Sequence, residues 1–301
     1  MDLAEIAKLA DKALNRRKFL KGTGMAGLGI ASAGLIGGSL SPLLAQNLAQ
    51  GNSSALGSRR SPTMIHDTPT DIFTAALVAE DLATTFYFNG LTGPVVQDPN
   101  LAGPGGTPHH PNPTDSNPGN VSYIQAALME EILHADLLRG LLGIGSSGQD
   151  PYQTFYFPAG TFDTLTPWLA TLDALENAFI GAYLVAAQEF AVLAVNGVAG
   201  YTSDQLAYFS KVAASIACVE SEHRVLGRDI GSVDPANNKA YEQTDGFTSL
   251  AHGDHSAVDA LAPFLNPSTG PAYSLQQALT NQGTVSLAMP IQTQLPDGTL
   301  Y

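Results

Sequence analysis

The sequence predicts an all-α fold: a bundle of four long helices followed by a loop-rich C-terminal tail. Three observations carry that reading. The stretches 68–90, 121–143, 165–196 and 203–229 each space apolar side chains three and four apart, so one face of a helix is apolar. Glycine and proline cluster at the ends of these stretches, where helices start and stop. The connection 146–163 is long enough to let the second pair of helices lie beside the first through a crossover.

Composition sets the outer limits. With 301 residues the chain holds one sizeable domain with appendages, or two small ones. Charged residues make up 13% and apolar residues 44%, which excludes both a disordered chain and a multi-span membrane protein. The net charge is −14, and six of the thirteen basic residues fall within the first 45 positions, so the remainder is strongly acidic. Such a surface argues against nucleic acid or anionic lipid as a partner. The single cysteine, Cys218, permits neither an internal disulfide nor a cysteine-based zinc site, and its position two residues before Glu220 assigns it a packing role off the apolar stripe.

Residues 1–21 are polar and basic and end in Asn15-Arg16-Arg17-Lys18-Phe19-Leu20-Lys21, which resembles a twin-arginine export signal. The segment 22–45 is uncharged, apolar and glycine-rich, a moderate hydrophobicity that suits such a signal better than a membrane span. A retained anchor is the alternative, since about 20 apolar residues can just cross a bilayer; a membrane partner is expected only in that case. Ala45 and Ala49 are cleavage candidates, and neither has a small residue three positions earlier. Residues 46–66, rich in Asn, Gln and Ser, read as a flexible linker.

The bundle then spans 67–230. Thr68-Pro69-Thr70-Asp71 opens its first helix with a capping residue, a proline at the first helical position and an acid near the positive helix end; Asn89-Gly90 reads as its stop. Residues 91–119, with seven prolines and five glycines, exclude regular structure and read as a functional or covering loop. His109 and His110 within it read as solvated. The second helix stops at Gly143-Ile144-Gly145. A cluster of Tyr152, Phe155, Tyr156 and Phe157 in the connection is expected to pack across the bundle. The third helix opens near Thr166-Pro167 and ends at Asn196-Gly197, and Thr202 with Gln205 forms a capping box for the fourth. Residues 231–301 read as a C-terminal extension wrapping the bundle, with His252-Gly253-Asp254-His255 as a surface turn.

The chemistry lies on the apolar stripes. Glu131-Ile132-Leu133-His134 and Glu220-Ser221-Glu222-His223 are both Glu-x-x-His, and residues three apart share a helix face, so each pair can reach one metal ion. Glu80 and Glu176 sit singly on the other two stripes, each followed seven residues later by a tyrosine, Tyr87 and Tyr183. Four glutamates and two histidines therefore face a core where unpaired charge is costly. Carboxylate-rich ligation with one imidazole per ion suits iron or manganese. Glu130 and Glu222 lie beside the stripes, and Glu189, six residues after Tyr183, points elsewhere; Asp173, one turn before Glu176, is a candidate to orient a ligand, and the two tyrosines could reach the site or line it, with packing the expected role.

One Glu from each of two helices and Glu-x-x-His from the other two is the arrangement of di-iron and di-manganese carboxylate bundles. On Glu80, Glu131, His134, Glu176, Glu220 and His223 the chain resembles the ferritin-like superfamily, and with its N-terminal segment the exported bacterial branch that includes desiccation-related proteins. The resemblance implies two iron or manganese ions bridged by Glu131 and Glu220, one completed by Glu80 and His134, the other by Glu176 and His223. It further implies small oxidants as partners, a ferroxidase- or catalase-like oxidoreductase activity, and a periplasmic or otherwise extracytoplasmic location. The alternative is a non-enzymatic stress or envelope protein whose metal is structural or whose bundle binds a partner.

Overall fold

The computed structural model describes residues 67–98, 101, 120–145, 147–231, 247–252 and 255–285. The signal-type segment, the linker and His109-His110 lie outside these residues. Four long helices form the body: α1 (Pro69–Thr92), α2 (Asn120–Leu142), α3 (Leu165–Asn196) and α4 (Ser203–Ile230). Shorter elements are β1 (Thr154–Tyr156) in the connection between α2 and α3, and α5 (Ala257–Leu261), β2 (Ala272–Ser274) and α6 (Leu275–Val285) in the C-terminal part.

Local chemistry explains the helix ends. Thr68 caps α1 by accepting from the Asp71 amide, while the Asp71 carboxylate accepts from the Thr68 amide and hydroxyl. Thr202 and Gln205 make the equivalent box at α4. Gly197, at φ 77, lets the chain turn out of α3. Asn89-Gly90 does not stop α1, which continues to Thr92. A Cβ at Gly90 would lie 2.4 Å from Trp168 Nε1, so this glycine is there for close packing of α1 against the buried indole.

Two apolar clusters fill the bundle, one at each end. The first joins the C-terminal half of α1, the N-terminal half of α2, the N-terminal half of α3 and Ile230 at the end of α4. The second joins the N-terminal turns of α1, the end of α2, the second half of α3 and the first half of α4. Helices α1 and α4 therefore run one way and α2 and α3 the other. Because α2 and α3 are parallel, the connection between them must travel the length of the bundle, which is the predicted long crossover.

That crossover carries β1, which pairs antiparallel with β2 of the C-terminal part through Phe155 opposite Tyr273. Of the aromatic cluster there, Phe155 and Phe157 are fully buried, whereas Tyr152 is exposed. Leu261, Leu275 and Ala278 enter the first apolar cluster, and Leu250 and Ala257 the second, so the described C-terminal residues pack along the bundle. Asp67, just before α1, fastens them. Its carboxylate accepts from the amides of Leu250, Ala251 and His252 at 2.7, 3.0 and 2.9 Å, and His252 Nδ1 lies 2.8 Å away. His252, expected in a free surface turn, is thus a tether point.

Candidate metal centre

Between the two apolar clusters lies a polar layer. Glu80 comes from α1, Glu131 and His134 from α2, Glu176 from α3, and Glu220 and His223 from α4; none is more than 2% exposed. The helical period does this: each residue shares its stripe with apolar side chains three or four positions away, as Ala76 and Leu77 beside Glu80, Ala127 and Leu128 beside Glu131, Leu172 and Phe179 beside Glu176, and Ile216 beside Glu220.

Both imidazoles turn Nδ1 toward the carboxylates. His134 Nδ1 lies 3.3 Å from Glu80, 3.5 Å from Glu220 and 3.7 Å from Glu131. His223 Nδ1 lies 2.8 Å from Glu131, 3.2 Å from Glu220 and 3.9 Å from Glu176. Two overlapping sets result, Glu80, Glu131, His134 and Glu220, and Glu131, Glu176, Glu220 and His223; within each, the ligand-type atoms lie within 4.8 Å of one another. Glu131 and Glu220 belong to both sets.

The surroundings depart from the sequence reading at four points. Tyr87 and Tyr183 do more than pack: Tyr87 on α1 donates to Glu176 on α3 at 2.5 Å, and Tyr183 on α3 donates to Glu80 on α1. The exchange is reciprocal, each tyrosine holding the carboxylate of the opposite helix. Glu130 is not merely beside the stripe, since its carboxylate lies 2.8 Å from His223 Nε2. Asp173 does not orient a ligand. The inner face of α3 runs through Trp168, Leu172 and Leu175 instead, which turns Asp173 to the flank, where it accepts from Arg228 at 2.7 Å. Cys218 is not a packing residue; it is exposed on the outer face of α4.

Burial and mutual repulsion dominate the electrostatics. Burial pushes Glu80 up to about 8 despite the opposing pull of His134. Burial and Glu131 push Glu220 to about 7, and burial and Glu220 hold Glu176 well above the usual carboxylate range. Glu131 goes the other way: burial works against its charge, but His223 and His134 outweigh it and keep it ionised. Burial likewise disfavours both imidazolium ions, yet Glu80, Glu131 and Glu220 raise His134, and Glu131, Glu130 and Glu220 raise His223, well above the usual histidine value. Without another cation the layer holds itself together with protons.

The family model for the ferritin-like domain matches residues 68–230, the span from the α1 cap to the end of α4. The chain belongs to the ferritin-like family. Comparison with curated proteins found no match, and comparison with solved structures found none either. The ferritin-like layer fits a metal on its own geometry. Glu80 Oε2, both Glu131 oxygens, Glu176 Oε2 and Glu220 Oε1 are buried without a hydrogen bond of good geometry, and they converge with two imidazole nitrogens. Buried acceptors left in this way are expensive in a packed core unless a cation completes them.

Proposed function

We propose that this ferritin-like chain is an exported dinuclear metal protein, an oxidoreductase that consumes peroxide or O2 or oxidises Fe(II) under oxidative or desiccation stress. The observation that carries the reading is the doubled donor set with Glu131 and Glu220 common to both halves. Glu80 and His134 would complete one ion, and Glu176 and His223 the other. Four ionised glutamates balance two divalent ions, which relieves the repulsion that otherwise forces protons onto the layer. Oxygen-rich ligation with one imidazole per ion suits iron or manganese, and two such ions supply the electrons for reducing O2 or peroxide. Export is supported by the Arg16-Arg17 segment and its uncharged successor.

The protein's own contribution is positional. Tyr183 and Tyr87 hold Glu80 and Glu176 from the far helix, so the terminal carboxylates keep their aim. The apolar clusters above and below exclude water from the layer. Metal entry must displace the Nδ1 protons of His134 and His223 and the protons retained by the raised glutamates. Binding therefore releases protons and weakens as pH falls.

The test is metal analysis of protein purified from its native compartment, followed by turnover of peroxide, O2 and Fe(II) by the loaded protein. Two ions of iron or manganese per chain with turnover are expected. Glu131→Ala and Glu220→Ala should affect both ions, and His134→Ala and His223→Ala mainly one; two ions retained by all four variants at unchanged stability would overturn the assignment. The complete burial of Glu131 and His134 equally suits a structural metal, and two bound ions without turnover would select that reading. Blocked export of an Arg16→Lys, Arg17→Lys double variant would support the export signal, and unchanged export would remove it.

A further inference from the structure

We propose that the two halves of the layer are unequal, the ion at Glu176 and His223 binding first and more tightly, because Glu130 backs the His223 ring and, among the described residues, no group backs His134. The inference rests on the dinuclear reading. Both rings face the carboxylates through Nδ1, so when Nδ1 is engaged each ring carries its proton on Nε2. His223 Nε2 then donates to Glu130 at 2.8 Å, and the Glu130 side chain is only 17% exposed, so its charge is only partly screened. His134 Nε2 is buried and makes no hydrogen bond.

The difference is written in the motifs. Glu130 immediately precedes Glu131, whereas the residue immediately preceding Glu220 is Val219, which cannot accept. The tyrosines do not offset it. Each half has one tyrosine on its terminal glutamate. Arg224 opposes the difference, since its charge acts on Glu176 through space, but its guanidinium donates to Asn177 at 2.7 Å rather than to a ligand. A carboxylate behind a ligating imidazole fixes the ring and strengthens its donor nitrogen, and losing such a partner lowers metal affinity about 10–100-fold. Glu130 is thus a positioning residue for one ion only.

Chelator-stripped full-length protein titrated with Co(II), followed by calorimetry and visible absorption, tests this. Two resolved steps are expected in the unaltered protein. Glu176→Ala should abolish the tighter step and Glu80→Ala the weaker one, an order that does not depend on any Glu130 variant folding. Glu130→Gln should weaken the tighter step about 10–100-fold and leave the weaker one in place, and Glu130→Asp should recover part of the loss. Two equal steps, or a Glu130→Gln shift shared equally by both, would overturn the inequality while leaving the dinuclear reading standing. No Co(II) binding by the unaltered protein would overturn both.

Discussion

Glu80 and Asp81 are neighbours on α1, both almost completely buried, and they feed two different acid clusters. Asp81 meets Arg139 of α2 at 2.5 Å, and Arg139 also reaches Asp150 in the crossover at 2.7 Å and Asp136 at 3.2 Å. Glu80 meets Glu131, Glu220 and His134, and among the described residues no arginine or lysine pairs with it. One cluster is built round a guanidinium that is part of the chain and cannot leave. The other is built round protons that can. The same problem of buried negative charge is solved permanently where α1, α2 and the crossover are tied together, and exchangeably where four helices converge.

The largest effect should come from removing the permanent cation. Arg139→Met leaves Asp81 and Asp150 buried without compensation, and breaking a buried pair of this kind costs about 3–5 kcal/mol. Urea unfolding should show that loss, and added Fe(II) or Mn(II) should not restore it. Burial, with Asp150 adding to it, already pushes Asp81 up to about 8 against the pull of Arg139. Without Arg139 the carboxyl takes up a proton more readily still, so the loss should be largest above pH 8, fall as pH drops through 8 and stay level toward pH 5. A loss under about 1 kcal/mol above pH 8 would mean the cluster is solvated and the contrast with the ligand layer false.

The exchangeable cluster should respond in the opposite sense. Glu220→Gln removes one of four crowded carboxyls, so the metal-free variant should be at least as stable as the unaltered protein. Metal should then stabilise the variant less. For the unaltered protein the gain is about 2.7 kcal/mol at a free metal concentration one hundred times Kd. Thermal midpoints with and without Mn(II) check both halves. A Glu220→Gln variant that is less stable than the metal-free protein, yet stabilised as strongly by Mn(II), would show that Glu220 serves as a polar core group and not as a ligand.

What could be read from the sequence follows from range. The four helices and the six layer residues were legible because a helix repeats every 3.6 residues, so the spacing of Glu80, Glu131-x-x-His134, Glu176 and Glu220-x-x-His223 shows which face they share. Capping at Thr68 and Thr202 was legible for the same local reason. The tyrosine exchange was not, because Tyr87 and Glu176 are 89 positions apart and their meeting depends on how far α1 and α3 slide along each other. Glu130 and His223, 93 positions apart, pose the same problem. Asp173 was misplaced because the apolar side chains of α3 cover a broad arc, and the core selects the edge marked by Trp168 and Leu172. Asp67 gave no local signal at all, since its amide donors lie 183 to 185 positions downstream.

A third buried acid sharpens the comparison, with the smallest expected effect. Glu189 on α3 is 7% exposed, and among the described residues it has neither an arginine nor a metal-type donor set, and its Oε2 has no hydrogen-bond partner. Burial first, then the charges of Asp67 and Asp71, push it up to about 8. Asp67 is itself held by three amides and His252, so the repulsion cannot be relieved by moving it away. The counter-ion here is a proton, and the sign follows. In the unfolded chain Glu189 ionises near 4.5, while in the folded protein it stays protonated to about 8. Its stabilising contribution is complete below 4.5 and is lost as pH rises through 8. Glu189→Gln carries a permanent donor in place of that proton, so it should be more stable than the unaltered protein at pH 8 and indistinguishable from it near pH 4.5. The raised glutamates of the buried Glu/His layer add their own pH dependence, but it is common to both proteins and cancels in the difference. Thermal midpoints of both metal-free proteins from pH 5 to 9 measure that difference; one that stays flat across the range would show that Glu189 is solvated and that its burial beside Asp67 carries no proton.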